Sequence, residues 1–341
     1  MDEHREAHRR RHGHAGHERC SPDLRGLRLH HRIPGRADDA GREDHTAVRR
    51  HSADPADGDR PAAAAASGCP RARAGGECGS SVKIVVCVKQ VPATTAEKRY
   101  TSDFRLDRAS AESVINPLDE YAIEQALRLQ EAGAVESVAY LSMGPEQTAE
   151  ALRRALAMGG DEAYLVTDGG LGGADLWATA RVLAAALDKL APDVALMGMA
   201  SDDAKGSLVP GAVAAIRGLP LLSYGSELRL EDSVARIRRL NATGYDIIEA
   251  PLPVVASVTD QVGEPRYASL KGIMAAKRKP LETWSLADLG ISADELHGAA
   301  LTRVVEVRPP EPKAPTERIE GIPPEEAASR IADWLAARKL I

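Results

Sequence analysis

The residues best placed to hold a charged ligand lie in the run SDDAKGSLVPG, residues 201–211. It follows the apolar stretch ALMGM and precedes an apolar helical pattern. Small residues there let backbone N–H groups approach an anion, and the dipole of a following helix favours negative charge. Lys205 adds a cation, and Asp202 or Asp203 can accept hydroxyl groups such as those of a ribose. The run also reads as an ordinary strand-to-helix turn with Asp as cap. Lys205-Gly206-Ser207 looks like the end of a P-loop, but the order is wrong and the upstream Gly is missing. No G-x-G-x-x-G follows a strand, and the glycine pairs 169–170 and 172–173 make a flexible helix entry, with phosphate cradling as the lesser reading. His297 is the one His after residue 81, so no Ser/His/Asp set forms there, and no carboxylate pair stands out as acid and base. His12, His14 and His17 with Cys20, Cys69 and Cys78 lack a C-x-x-C pair or metal-site spacing. The expectation is a chain with no catalytic residue and no metal, which holds a cofactor rather than transforming a substrate.

A second chemistry-bearing stretch is LPVVASVTDQVGEPRYASLKGIMAAKRKP, residues 252–280. It leaves an apolar strand and crosses a polar loop that still carries Tyr267, Leu270, Ile273 and Met274. It ends in the basic cluster Lys277, Arg278, Lys279. An apolar anchor beside a positive cluster is a docking surface in outline. The competing reading is a partly buried connection with solvated lysines.

The elements that must position these residues begin after residue 81. Residues 1–81 hold no Lys, Phe, Tyr or Trp, but nine of the ten His and three of the four Cys. Such a segment cannot bury enough apolar surface to offset the entropy of ordering, so residues 1–81 are expected to be disordered. They are too acidic for a transit peptide and lack the apolar stretch of a secretory signal. The expectation is that they are upstream translation of GC-rich DNA, with Val82 the product of a GTG start codon. Of 44 basic and 50 acidic residues, 15 and 13 lie before residue 82, leaving 29 and 37. That negative balance disfavours a nucleic-acid partner. No run of about 18 apolar residues occurs, so no membrane insertion is expected, and the lone later cysteine, Cys87, fits a reducing, cytoplasmic location.

From residue 84 apolar strands alternate with helical patterns. The strands are 84–88, 138–143, 164–167 and 194–199. One helix opens at Asn116-Pro117, with Asn as cap and Pro at the first position. Others are marked by Ala149, Leu152 and Leu156, by Leu176 to Leu190 at helical spacing, and by residues 206–217. This order argues for a doubly wound parallel sheet. Four short strands, 221–230, 234–240, 245–250 and 254–259, suit an antiparallel extension. A Pro- and Glu-rich arm follows and ends in a helix over 324–341, with Ile331, Trp334 and Leu335 on its apolar face.

Three strings carry a family resemblance: KIVVCVKQVP (83–92), AEALRRALAMGGDEAYLV (149–166) and EPRYASLKGIMAAKRK (264–279). They resemble the beta subunit of electron-transfer flavoproteins, over residues 82–341. The resemblance implies an α/β, doubly wound, mostly parallel Rossmann-like sheet with an antiparallel extension. It implies a nucleotide-binding domain over 82–282, and a C-terminal arm and helix over 283–341 that contacts a partner. That partner is an alpha subunit holding most of the FAD contacts in a heterodimer, while the beta subunit binds AMP. The implied role is an electron carrier, not an enzyme. It relays electrons from acyl-CoA dehydrogenases or other flavin dehydrogenases to a membrane quinone reductase or other acceptor, as in fatty acid oxidation. By position, the nucleotide contacts fall on Cys87, on Asn116, Pro117, Leu118 and Asp119, on Met143, and on Asp203, Ala204, Lys205, Gly206, Ser207, Leu208, Val209 and Pro210. The docking surface for the donor falls on Tyr267, Leu270, Ile273, Met274, Lys277 and Lys279. The chain departs from the family at Lys205 and Ser207, at RLNATG (239–244), where Leu240 replaces a Glu of some members, and at Ala93. Two alternatives stand beside this: an electron-bifurcating form with FAD in the beta site, and a stand-alone adenine-nucleotide module of the stress-protein type. The second leaves the apolar-basic loop and the arm unexplained.

Overall fold

The computed structural model describes residues 28–32, 82–298, 300–308 and 318–341. Strand β1 (Arg28–Arg32) comes first, then β2 (Lys83–Cys87). Strands β3 (Gln90–Pro92) and β4 (Ser113–Ile115) pair as a short antiparallel ribbon. Helix α1 (Pro117–Glu131), β5 (Ser137–Met143), α2 (Ala149–Met158), β6 (Glu162–Val166), α3 (Leu176–Leu190), β7 (Val194–Gly198) and α4 (Val209–Arg217) then alternate. Next come β8 (Leu221–Glu231), β9 (Val234–Asn241), β10 (Gly244–Pro251) and β11 (Val254–Val258). Helix α5 (Leu270–Ala276), β12 (Leu281–Trp284), α6 (Ala293–Gly298) and α7 (Pro324–Ala337) close the order.

The large sheet runs β1-β10-β9-β8-β11-β7-β2-β5-β6-β12. From β8 to β12 every neighbouring pair is parallel. Continuously apolar strands such as β2, β7 and β11 are what a sheet covered on both faces requires. Side chains of β2 alternate between two cores. Ile84 and Val86 join Ile123, Leu127, Leu152 and Leu156 of α1 and α2. Val85 and Cys87 join Val182, Leu187 and Val213 of α3 and α4. The sequence reading placed all four strands of 221–259 in an antiparallel extension. Only β8, β9 and β10 form one; β11 sits between β7 and β8, parallel to both, as its apolar run demands.

The chain proceeds from β2 outward through β5 and β6, then returns to lay β7 on the other side of β2. The order therefore reverses between β2 and β7, and open α/β sheets bind ligands in the crevice at such a reversal, beyond the carboxyl ends of the strands.

Two further differences concern boundaries. Within the segment expected to be disordered, Arg28–Arg32 pairs antiparallel with β10, whose outer edge offers unpaired backbone groups; residues 1–27 and 33–81 lie outside the described residues. The arm was expected to begin at 283, yet β12 pairs with β6 through Trp284, and Trp284, Leu286 and Leu296 are buried in the second core. Residues 107–303 thus belong with the α/β unit, and residues 100–106 and 304–341 make a second unit. Within that second unit, Tyr100 bridges Leu106, and the Arg338 guanidinium lies 3.9 Å over the Trp334 ring.

Candidate functional site

The β2–β7 crevice is framed by the first turn of α1 and the 200–208 connection that leads into α4. Asn116 occupies the N-cap position of α1, but its side chain makes no cap bond. Instead its Nδ2 donates to Ala200 O at 2.9 Å, and its Oδ1 accepts from Asp202 N at 3.0 Å. The expected cap is thus a clip that joins two loops more than 80 residues apart in sequence. Asp119 stitches the strand ends below: its Oδ2 accepts from Lys89 N at 2.8 Å, and the N–H of Gly198 also donates to it. A Cβ on Gly198 would meet Asp119 and the Leu118 backbone at 2.5 Å, so only glycine allows β7 to end this close to α1. Burial pushes the Asp119 carboxyl up to about 7, against these hydrogen bonds and the charge of Lys89.

The turn itself carries paired charges. The Asp203 side chain is 1% exposed and accepts from Lys89 Nζ at 2.8 Å and from Arg108 Nη2 at 2.6 Å. Burial alone would raise its pKa, but the two cations hold it well below the usual carboxylate range. Asp202 pairs with Lys205 at 3.2 Å. Asp202 and Asp203, either of which was expected to accept ribose hydroxyls, are therefore both paired with protein cations. The cations that pair with Asp203 are Lys89 and Arg108, which sequence reasoning missed, because their partner lies 114 and 95 residues away. Lys205 and Ser207 both take left-handed backbone conformations, φ 49° and 54°. No helix passes through such residues, so α4 starts at Val209 rather than at the expected 206. Leu208 caps it without a side-chain bond. Pro210 has no N–H, so the first turn of α4 leaves the N–H groups of Val209 and Gly211 for a ligand or water.

Of the other expected contacts, Pro117 and Leu118 lie in the first turn of α1, and Ala204 and Gly206 are exposed on the turn. Val209 and Pro210 open α4. Cys87 ends β2 beside this group; its thiol is buried and pushed up to about 12 by desolvation first and by Asp119 second, so it is inert as a nucleophile. Met143 is half-buried at the end of β5, one strand away from the crevice.

The docking stretch is not the loop expected from sequence. Residues Leu270–Ala276 form helix α5, and the Ser269 hydroxyl accepts from Gly272 N as its cap. The helix is fastened to α2. Arg153 Nη1 donates to Ala276 O and Lys279 O, and Lys279 Nζ donates to Leu156 O and Gly159 O at the end of α2. Lys279 is thus a tie within the fold and not a free docking cation. The lead-in to α5 is held by Arg266, which binds Glu124 and Glu131 of α1. The exposed members are Tyr267 (96%), Leu270 (79%), Ile273, Met274 and Lys277. A cleft of ≈ 760 Å³ runs beside them, lined by Pro117 and Glu120 of α1, Arg153 and Met158 of α2, and Ile273 and Lys277. A second cleft of ≈ 450 Å³ opens beyond β7, β8 and β11, where Leu240 lies with Met199, Tyr224 and Thr259. Among the described residues no helix is long and apolar enough to cross a membrane.

Residues 103–289 match the family model described as the electron transfer flavoprotein domain. The chain is 38% identical over 267 residues to the electron transfer flavoprotein subunit beta of Mycobacterium leprae, covering 76% of this chain and 99% of that one. It is 34% identical over 262 residues to the caffeyl-CoA reductase–Etf complex subunit CarD of Acetobacterium woodii, covering 76% and 100%. It is 34% identical, with the same coverage, to the electron transfer flavoprotein subunit beta of Thermoanaerobacterium thermosaccharolyticum.

Proposed function

The chain belongs to the electron transfer flavoprotein beta-subunit family, and on that premise we propose that it pairs with an alpha subunit and holds AMP in the β2–β7 crevice. The observation that carries the nucleotide reading is the convergence at the sheet reversal. The uncapped α4 terminus and the small residues Ala204 and Gly206 belong to the same turn as Asp203, which pairs with Lys89 and Arg108. Those donors fit a phosphate, and Lys89 with the N–H groups of Val209 and Gly211 would hold it, while Arg108 stays paired with Asp203. Asn116 and Asp119 keep the two loops in register, whatever lies between them.

The electron-transfer role is that of the family. In this reading FAD is held mainly by the alpha subunit, and the redox chemistry is the flavin's own. This chain contributes the scaffold, the structural nucleotide and the surface that meets a donor such as an acyl-CoA dehydrogenase. Exposed Leu270, Ile273 and Met274 on a firmly tied helix supply an apolar contact, and Lys277 steers an acidic rim. Purification of the heterodimer, followed by extraction and identification of its nucleotides, tests the assignment. Flavin and AMP together support it. Flavin alone removes AMP, and two flavins favour FAD in the beta site.

A further inference from the structure

The crevice between β2 and β7 is bridged by side chains from its two banks. One bank is the β3–β4 ribbon and the residues next to it, which leave β2 and return to α1. The other is the 200–208 connection. Besides the Asn116 clip, four side-chain contacts cross between them. Lys89 Nζ donates to Ser201 Oγ at 3.3 Å and to Asp203 Oδ1 at 2.8 Å; Thr94 Oγ1 donates to Asp202 Oδ2 at 3.2 Å; and Arg108 Nη2 donates to Asp203 Oδ2 at 2.6 Å. Asp203 is the buried centre of this bridge, while the side chains of Lys89 and Arg108 remain 40% and 46% exposed. A buried carboxylate side chain on a surface turn needs such partners, and removal of one leaves its charge to the other alone. Lys89 is also fixed through its backbone by Asp119, so Arg108 is the member free to swing away.

We propose that Arg108, acting through Asp203, is a positioning residue that fastens the β3–β4 ribbon to the 200–208 turn and so sets how long a nucleotide stays in the crevice. The role rests on the nucleotide reading above. Arg108 closes the mouth when paired and opens it when the pair breaks. Because the Arg108 end of the pair is open to solvent, its strength falls with salt, and nucleotide exchange accelerates with ionic strength.

The test loads the complete heterodimer with radiolabelled AMP and chases with unlabelled AMP, at low and at high salt. Arg108→Ala speeds release about tenfold at low salt, the equivalent of about 1.4 kcal/mol, and removes most of the salt dependence. Arg108→Lys, which keeps the charge, recovers most of the slow release. Arg108→Gln serves in place of the Ala variant if that complex does not assemble. A merely structural role would lower the melting temperature without altering the salt dependence of release. Label retained equally long in wild type and variants, or a salt dependence that persists in Arg108→Ala, overturns the role of Arg108. A wild-type complex that takes up no AMP instead removes the nucleotide reading, and the role of Arg108 with it.

Discussion

Replacement of Leu270 by Ala separates two physical accounts of the 267–279 segment. Were Leu270 part of the core, truncation would cost about 2–5 kcal/mol of stability. Its side chain is instead 79% exposed on α5, so folding loses almost nothing, within about 0.5 kcal/mol. About four-fifths of the side chain remains to be buried when a partner arrives. Loss of its three terminal carbons then removes about 2 kcal/mol of contact, at about 0.8 kcal/mol per buried methylene. That is roughly thirtyfold in the donor concentration needed for half-maximal reduction. The assay follows flavin bleaching in the heterodimer as an acyl-CoA dehydrogenase and its substrate are supplied, with thermal melts on the same samples. A lowered melting temperature with unchanged donor kinetics would refute the exposed-anchor account.

Gly272→Ala acts on the same helix from below. A Cβ there would meet Ala157 O of α2 at 2.3 Å, so α5 must lift; a loss of about 1–3 kcal/mol is expected in denaturant unfolding, together with slower donor reduction. Unchanged stability would mean that α5 does not pack as closely as described. Gly206→Glu meets no neighbouring atom, yet sets a carboxylate beside the anion site, so the heterodimer should lose AMP with its melting temperature nearly preserved. AMP content equal to wild type would take this turn out of the site. Asp119 gives a pH signature. Its folded pKa is raised from 3.8 to about 7, so the native state holds the proton more tightly than the unfolded chain. The stability this confers is present below about pH 4 and is lost as pH rises through about 7, by at most about 4 kcal/mol. Unfolding midpoints should fall between about pH 4 and 7 in wild type and stay flatter in Asp119→Asn. Parallel pH profiles for the two proteins would contradict this.

The parallel half of the fold was legible because its signals are local. The runs at 84–88 and 194–199 are apolar without interruption, and the 176–190 helix repeats its apolar residues every three or four positions. Loop geometry was less legible. Backbone angles at Lys205 and Ser207 are left-handed without being glycine, so no residue type announced that α4 starts late. Asn116 looked like a cap because a cap is a local bond; its actual partners, Ala200 and Asp202, are set by the return of β7 beside β2. Lys89 and Arg108 followed no motif and acquire meaning only through Asp203. Lys279 read as a free cation in a basic cluster, but the end of α2 takes its ammonium group. Seven residues containing a glycine gave α5 too short a pattern to detect, although Ser269 stood in the capping position.

The central claim is that this chain carries electrons only as the partner of a flavin-bearing subunit. The most direct measurement is the visible absorption of the chain purified alone and as a complex with an electron transfer flavoprotein alpha subunit, before and after addition of a reduced acyl-CoA dehydrogenase. The chain alone should be nearly colourless, and the complex yellow and bleached on reduction. A stoichiometric flavin on the isolated chain, or failure to form a flavin-bearing complex, would contradict the account.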